Sequence, residues 1–173
     1  MYSKNIVFRL CIAVVLAAFS IACLSWRGEE IEQWEVPQKG FKIRIVAYDE
    51  KGGVPLSGRY YVLNSALLGK EEWHEIMSVF TKDLIPIPKE NFRVVDGKVA
   101  YFFMKHKFAV TTDAGNSWSV WDANKEYDNY AYIKDVQIEL KGAGKMNFHN
   151  VPSQQRELPD LYTNDYGRHW ESN

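Results

Sequence analysis

The sequence predicts a mainly β, α+β domain with one amphipathic helix, built on a compact antiparallel sheet. Three observations point there. Ten Tyr, nine Phe and six Trp stand among 173 residues, and such rings favour half-buried pleated surfaces. From Phe41 onward, apolar and polar residues alternate with period two in short runs, as in strands with one wet face. Clusters of Gly, Asp and Asn punctuate those runs as turns do. Apolar residues make up 46% and charged residues 25% of the chain, enough apolar material to bury the core of one domain.

Phe41, Ile43 and Ile45 alternate with Lys42 and Arg44, which gives the first strand. Asp49-Glu50-Lys51-Gly52-Gly53 reads as a turn, and Arg59 to Leu63 as the second strand. Over residues 70 to 82 the period changes. Trp73, Ile76, Met77 and Phe80 fall at i, i+3, i+4 and i+7, the apolar stripe of a helix. Glu71 and Glu72 would occupy its first turn, and Pro86 and Pro88 lie beyond its end. Phe92 to Val99 reads as a hairpin closed by Asp96-Gly97, a pair that tolerates positive φ. Val99 to Met104 is almost wholly apolar and predicts a strand buried on both faces. Lys107 to Thr111 follows. Val136, Ile138 and Leu140 form a later strand, which Gly142-Ala143-Gly144 turns back toward Met146 and Phe148. Leu161 to Thr163 is the last.

The N-terminal residues are a different material. Lys4 and Arg9 precede an uncharged apolar run from Leu10 to Cys23, the make-up of a signal peptide or membrane anchor over residues 1–23. The run is shorter than the ~20 residues of a usual spanning helix. Ser20-Ile21-Ala22-Cys23 resembles a bacterial lipobox, and that resemblance implies lipidation at Cys23 and a place in the bacterial cell envelope, facing the periplasm or the outside. A retained membrane helix and release after cleavage are the other readings. Residues 24–40 are acidic and polar and read as a tether in which Trp34 and Val36 could pack as a short edge. Residues 41–173 form the single β-rich domain.

Cys11 and Cys23 are the only cysteines. The domain beyond them therefore has no internal disulfide, thiol nucleophile or Cys-based metal site. Two of the 21 basic residues precede Cys23, leaving 19 against 22 acidic ones. That acidic balance argues against a nucleic-acid partner.

TTDAGNSW spans Thr111 to Trp118, and TNDYGRHW spans Thr163 to Trp170. Both fit Thr-x-Asp-x-Gly-x-x-Trp, and each follows a short strand. An Asp carboxylate accepts backbone N–H bonds within its own turn. Gly115 and Gly167 supply the left-handed conformation that a side chain resists. Thr111 and Thr163 can add a hydroxyl bond, and Trp118 and Trp170 can fold back as apolar plugs. The pattern reads as a hairpin closure. It resembles the Asp-box, or BNR, repeat, Ser/Thr-x-Asp-x-Gly-x-Thr/Ser-Trp, found between the last two strands of blades in sialidases and other β-propellers. Ser117 matches the family pattern, whereas His169 stands where Thr or Ser is usual. The resemblance implies that Asp113 and Asp165 are architectural and not catalytic. It also raises a partial propeller-like layout, because the chain after the tether, about 130 residues, is too short for four blades of ~40–45 residues.

Chemistry is otherwise sparse. His74, His106, His149 and His169 form no recognised zinc spacing. No nucleophile elbow or phosphate-cradling Gly loop is present, and nothing calls for a cofactor. The loop from Ser119 to Tyr132 mixes Trp121, Tyr127 and Tyr130 with Asp122, Glu126 and Asp128. Such a mixture suits contact with a protein or stacking on a carbohydrate. The expectation is a non-catalytic, envelope-anchored binding protein that docks a protein partner. Small anchored, cysteine-poor domains of this kind are similar to immunity lipoproteins that neutralise toxins delivered by neighbouring bacteria. A carbohydrate-binding module and a glycosidase-like enzyme are the alternatives.

Overall fold

The computed structural model describes residues 28–49, 58–127, 131–149 and 157–172. Three four-stranded antiparallel meanders follow one another along the chain. The first contains β1 (Glu29–Pro37), β2 (Phe41–Asp49), β3 (Arg59–Leu67) and β4 (His74–Thr81). The second contains β5 (Phe92–Val94), β6 (Ala100–Met104), β7 (Lys107–Thr111) and β8 (Ser119–Asp122). The third contains β9 (Ile133–Ile138), β10 (Gly144–Phe148), β11 (Leu161–Thr163) and β12 (Glu171–Ser172). A one-turn helix, α1 (Ala123–Glu126), leaves β8 and is capped by the Asp122 carboxylate, which accepts the Asn124 N–H.

The sheets stack face to face, and their side chains fill two apolar layers. Phe41, Ile43 and Ile45 of β2 with Tyr61 and Leu63 of β3 meet Ala100, Phe102 and Met104 of β6. Tyr101 and Phe103 of β6, Phe108 and Val110 of β7 meet Val136, Met146 and Leu161 of the third sheet. The central sheet is therefore covered on both sides, as the apolar run of β6 predicts: all five of its residues are buried. The first strands share one edge of the stack. Trp34 of β1 packs edge-on against Phe92 of β5. Arg93 of β5 donates to Asp135 and to the Val136 carbonyl of β9, each at 2.7 Å. Three stacked meanders, not one sheet with a helix laid on it, realise the mainly β class.

The helix expected over 70–82 is not formed. His74–Thr81 is instead β4, paired with β3. Met77, Val79 and Thr81 are buried at period two, while Phe80 is 39% exposed. A bulge opposite Leu63 and Asn64 inserts Ile76 as an extra residue, and that insertion brings Ile76 onto the core side beside Met77. A period-two strand with one bulge thus imitates helical spacing in the sequence. β-branched Ile76, Val79 and Thr81 suit the pleat.

Two smaller expectations also change. Residues 29–37 of the expected tether are strand β1, in register with β2 through Trp34↔Ile45 and Val36↔Ile43. The β5–β6 connection is not a two-residue Asp-Gly turn. The Asp96 carboxylate accepts the N–H groups of Lys98 and Val99 at 2.6 and 2.8 Å and closes a longer loop. The turn expected at Asp49–Gly53 lies, beyond Asp49, outside the described residues.

Candidate functional site

Both Thr-x-Asp-x-Gly-x-x-Trp segments join the third strand of a sheet to its fourth: Thr111–Trp118 between β7 and β8, Thr163–Trp170 between β11 and β12. Strand pairing buries each threonine; Thr111 is 1% and Thr163 5% exposed. Its hydroxyl then has polar work to do. Thr111 Oγ1 donates to Asp113 Oδ1 at 2.9 Å and accepts the Gly115 N–H at 2.9 Å. Thr163 Oγ1 donates to Asp165 Oδ1 at 2.8 Å and accepts the Gly167 N–H at 2.9 Å.

The carboxylates complete each turn. Asp113 accepts the Ser117 N–H at 2.9 Å and the Ser117 hydroxyl at 2.6 Å. Asp165 accepts the His169 N–H at 3.0 Å, and its second oxygen meets His169 Nδ1. The imidazole thus replaces the serine hydroxyl in the second copy. Burial opposes ionisation of both acids, but the hydrogen bonds outweigh it. Asp113 lies below the ordinary carboxylate range through its bonds from Ser117 and Thr111. Asp165 is lowered to about 2 by the side chain and N–H of His169 and by Thr163.

Backbone geometry makes the glycines obligatory. Gly115 and Gly167 adopt φ of +83° and +85°. A Cβ on Gly115 would lie 2.5 Å from the Phe41 ring, and one on Gly167 2.8 Å from Phe108 and Trp170. Each turn therefore abuts an aromatic ring of the preceding sheet. Trp118 packs edge-on against Phe41 at 6.0 Å, and Trp170 against Phe108 at 5.5 Å. These segments are clamps between neighbouring sheets as well as closures of their own hairpins. Both carboxylates accept hydrogen bonds from their own turns, and the Asp165 side chain, 39% exposed, also lines a shallow cavity with His169 and Glu171.

Among the described residues of the aromatic loop, the two rings of the expected binding surface are engaged. Trp121 and Tyr127 are half-buried and pack against the third sheet, 6.4 and 5.8 Å from the Phe148 ring. Asp122 is occupied as the cap of α1, and His106 Nε2 lies 3.9 Å from it. Burial holds His106 below its ordinary pKa, against the pull of Asp122. Glu126 is exposed. Asp128, Tyr130 and Cys23 lie outside the described residues. Among the described residues no group of three His, Cys, Asp or Glu is placed to hold a metal ion. No helix among them is long and apolar enough to cross a membrane.

Two features have no counterpart in the sequence reading. The first lies on the face of the first sheet turned away from the second. Trp73 sits there with Lys42 Nζ 4.7 Å and the Arg44 guanidinium 4.5 Å from its ring centre. Phe80 and Tyr60 stack beside each other at 4.8 Å on the same face. Lys42 and Arg44 are legible in the sequence as the wet face of a strand, whereas Trp73 falls on the apolar stripe of the expected helix. The second is a cavity of about 380 Å³ between the β3–β4 connection and the Thr111–Trp118 turn. Residues from two sheets line it, so no local signal could mark it.

Comparison with protein-family models, with curated proteins and with solved structures finds no match to this chain.

Proposed function

We propose that this chain is a non-catalytic binding protein, held at the bacterial cell envelope by its N-terminal segment, that docks a protein partner. The observation that carries the reading is the outward face of the first sheet, where Trp73 lies over Lys42 and Arg44 at one end and Tyr60 packs with Phe80 at the other. Trp, Tyr and Arg are the residue types that dominate protein interfaces. Stacking on cations holds the indole in one place, so little of its conformational freedom remains to be lost on association. Three sheets clamped by two turns give that face a rigid base. The two cations favour a partner with an acidic surface. The Asp113 and Asp165 carboxylates support a non-catalytic reading, since both are engaged by their own turns. This proposal places the docking site on the outward face of the first sheet rather than on the loop that holds Trp121 and Tyr127.

The test is affinity capture from envelope extract by the full chain, with Trp73→Ala and Arg44→Glu variants in parallel. One stoichiometric protein retained by the parent and lost by both variants, at unchanged melting temperature, supports the reading. Equal capture by all three chains refutes it.

A further inference from the structure

The connection between third and fourth strands has one length in all three sheets. Its flanking pairs are Ser65↔His74, Val110↔Ser119 and Tyr162↔Glu171. Segments 66–73, 111–118 and 163–170 therefore hold eight residues each, and each ends in Trp. In the first sheet Ala66 and Leu68 stand where the other two have Thr and Asp, so the polar closure is lost while Trp73 is kept. The backbone course is kept as well. The fourth residue is left-handed in each segment, with φ of +77° at Gly69, +58° at Ala114 and +64° at Tyr166. Each segment also donates one N–H back to the preceding hairpin: Leu68 to the Gly40 carbonyl at 3.2 Å, Ala114 to Lys98 at 3.0 Å and Tyr166 to Gly142 at 2.9 Å.

Trp118 and Trp170 each turn toward the sheet before their own, against Phe41 and Phe108. Trp73 turns the same way, but among the described residues no sheet precedes the first. Its indole lies over Lys42 and Arg44 instead. At the far end of the stack, the third sheet has a face that no later sheet among the described residues covers. Lys145 lies there, with Nζ 5.7 Å from the Tyr162 ring centre and 2.6 Å from the Asp160 carboxylate. Asp160 stands three residues before Thr163, as Phe108 stands three before Thr111. It thus holds the place of the ring that meets Trp170. The two end faces are opposite in charge where they would meet: Asp160 and Glu171 on one, Lys42 and Arg44 on the other. Lys145, and Glu35 at 3.9 Å from Lys42, offset these only in part.

We infer that the partner of the first-sheet face is a second copy of this chain, whose third sheet takes the place of the missing preceding sheet and sets Asp160 toward Trp73, Lys42 and Arg44. The inference deepens the docking role proposed above and rests on it. Formed twice about a two-fold axis, the contact joins three sheets to three in a closed ring of six and leaves neither end face uncovered. Six lies within the ~4–8 sheets of ring-shaped β folds.

Sedimentation equilibrium of the full chain in density-matched detergent tests the inference. The parent should have the mass of two chains. Arg44→Glu and Asp160→Arg should each weaken the dimer at least tenfold. Mixing the two variants should restore it, because the mixed pair has one native and one charge-reversed contact. Lys42→Glu replaces Arg44→Glu should the latter fail to fold, as judged by near-UV circular dichroism. A monomeric parent that still captures a different protein through Trp73 overturns this inference and leaves the docking role standing. A monomer whose capture ignores Trp73 overturns both. A dimer that Asp160→Arg leaves intact, or that the mixture does not restore, also overturns the inference.

Discussion

Replacing Asp165 by alanine measures how far the third-sheet turn depends on one carboxylate. The change removes three hydrogen bonds: one from the Thr163 hydroxyl, one from the His169 N–H and one from the His169 ring. Thr163, 5% exposed, keeps its bond from the Gly167 N–H, and the exposed His169 groups can turn to water. The loss therefore falls well short of three full bonds. The carboxylate gives a second route to the magnitude. It is lowered from 3.8 to about 2, which at full value is worth roughly 2.5 kcal/mol. Its side chain is 39% exposed, so solvent screening reduces this to about 1 kcal/mol. The two routes converge on about 1–2 kcal/mol, or a fall of roughly 3–6 °C in melting temperature for a domain of this size. The pH dependence fixes the sign. A carboxylate whose folded pKa is depressed stabilises above its unfolded value near 4, and that contribution disappears as pH falls toward 2. Urea titrations at pH 6 should show the full difference between parent and Asp165→Ala, and titrations near pH 3 a smaller one. A variant that melts with the parent at pH 6 and yet loses ligand or partner binding would refute the architectural role.

Further outcomes follow from the same geometry. Gly167→Ala forces a side chain into φ +85° and against Phe108 and Trp170; it should cost ~3 kcal/mol or more, seen as a loss of about 10 °C or as failure to fold. Arg93→Ala removes the ties to Asp135 and the Val136 carbonyl, and because that pair is partly exposed the cost should be ~1–2 kcal/mol in chemical denaturation. His106 is held below its ordinary pKa chiefly by burial. The parent should therefore lose stability relative to His106→Gln as pH falls below about 6.5, and parallel denaturation curves at pH 7.5 and 5 would contradict this. Radioactive fatty acid should label the parent chain and not Cys23→Ser; equal labelling would exclude Cys23 as the lipid site.

Legibility differed between elements for physical reasons. The strand of Phe41 to Ile45, the buried run of β6 and the Gly142–Gly144 reversal were readable because period and turn chemistry are local properties. Both Thr-x-Asp-x-Gly-x-x-Trp turns were readable for the same reason, since nearly every bond of the closure lies within eight residues. β4 was misread because one bulge at Ile76 shifts a period-two pattern into apparent helical spacing. The pairing partner that resolves the ambiguity is β3, whose paired residues lie 9 to 22 positions away in the chain.

By itself the sequence determined a mainly β chain, its hairpin closures and which residues of those closures are spent on hydrogen bonds to their neighbours. The tertiary structure alone decided that the twelve strands of the described residues divide into three stacked meanders. It also decided that Trp118 and Trp170 clamp a preceding sheet, that Trp121 and Tyr127 pack against the third sheet, and that a cavity lies between the β3–β4 connection and the Thr111–Trp118 turn. Those outcomes depend on which faces meet across sheets, and contact between sheets is set by packing of residues far apart in the chain, which no local pattern encodes.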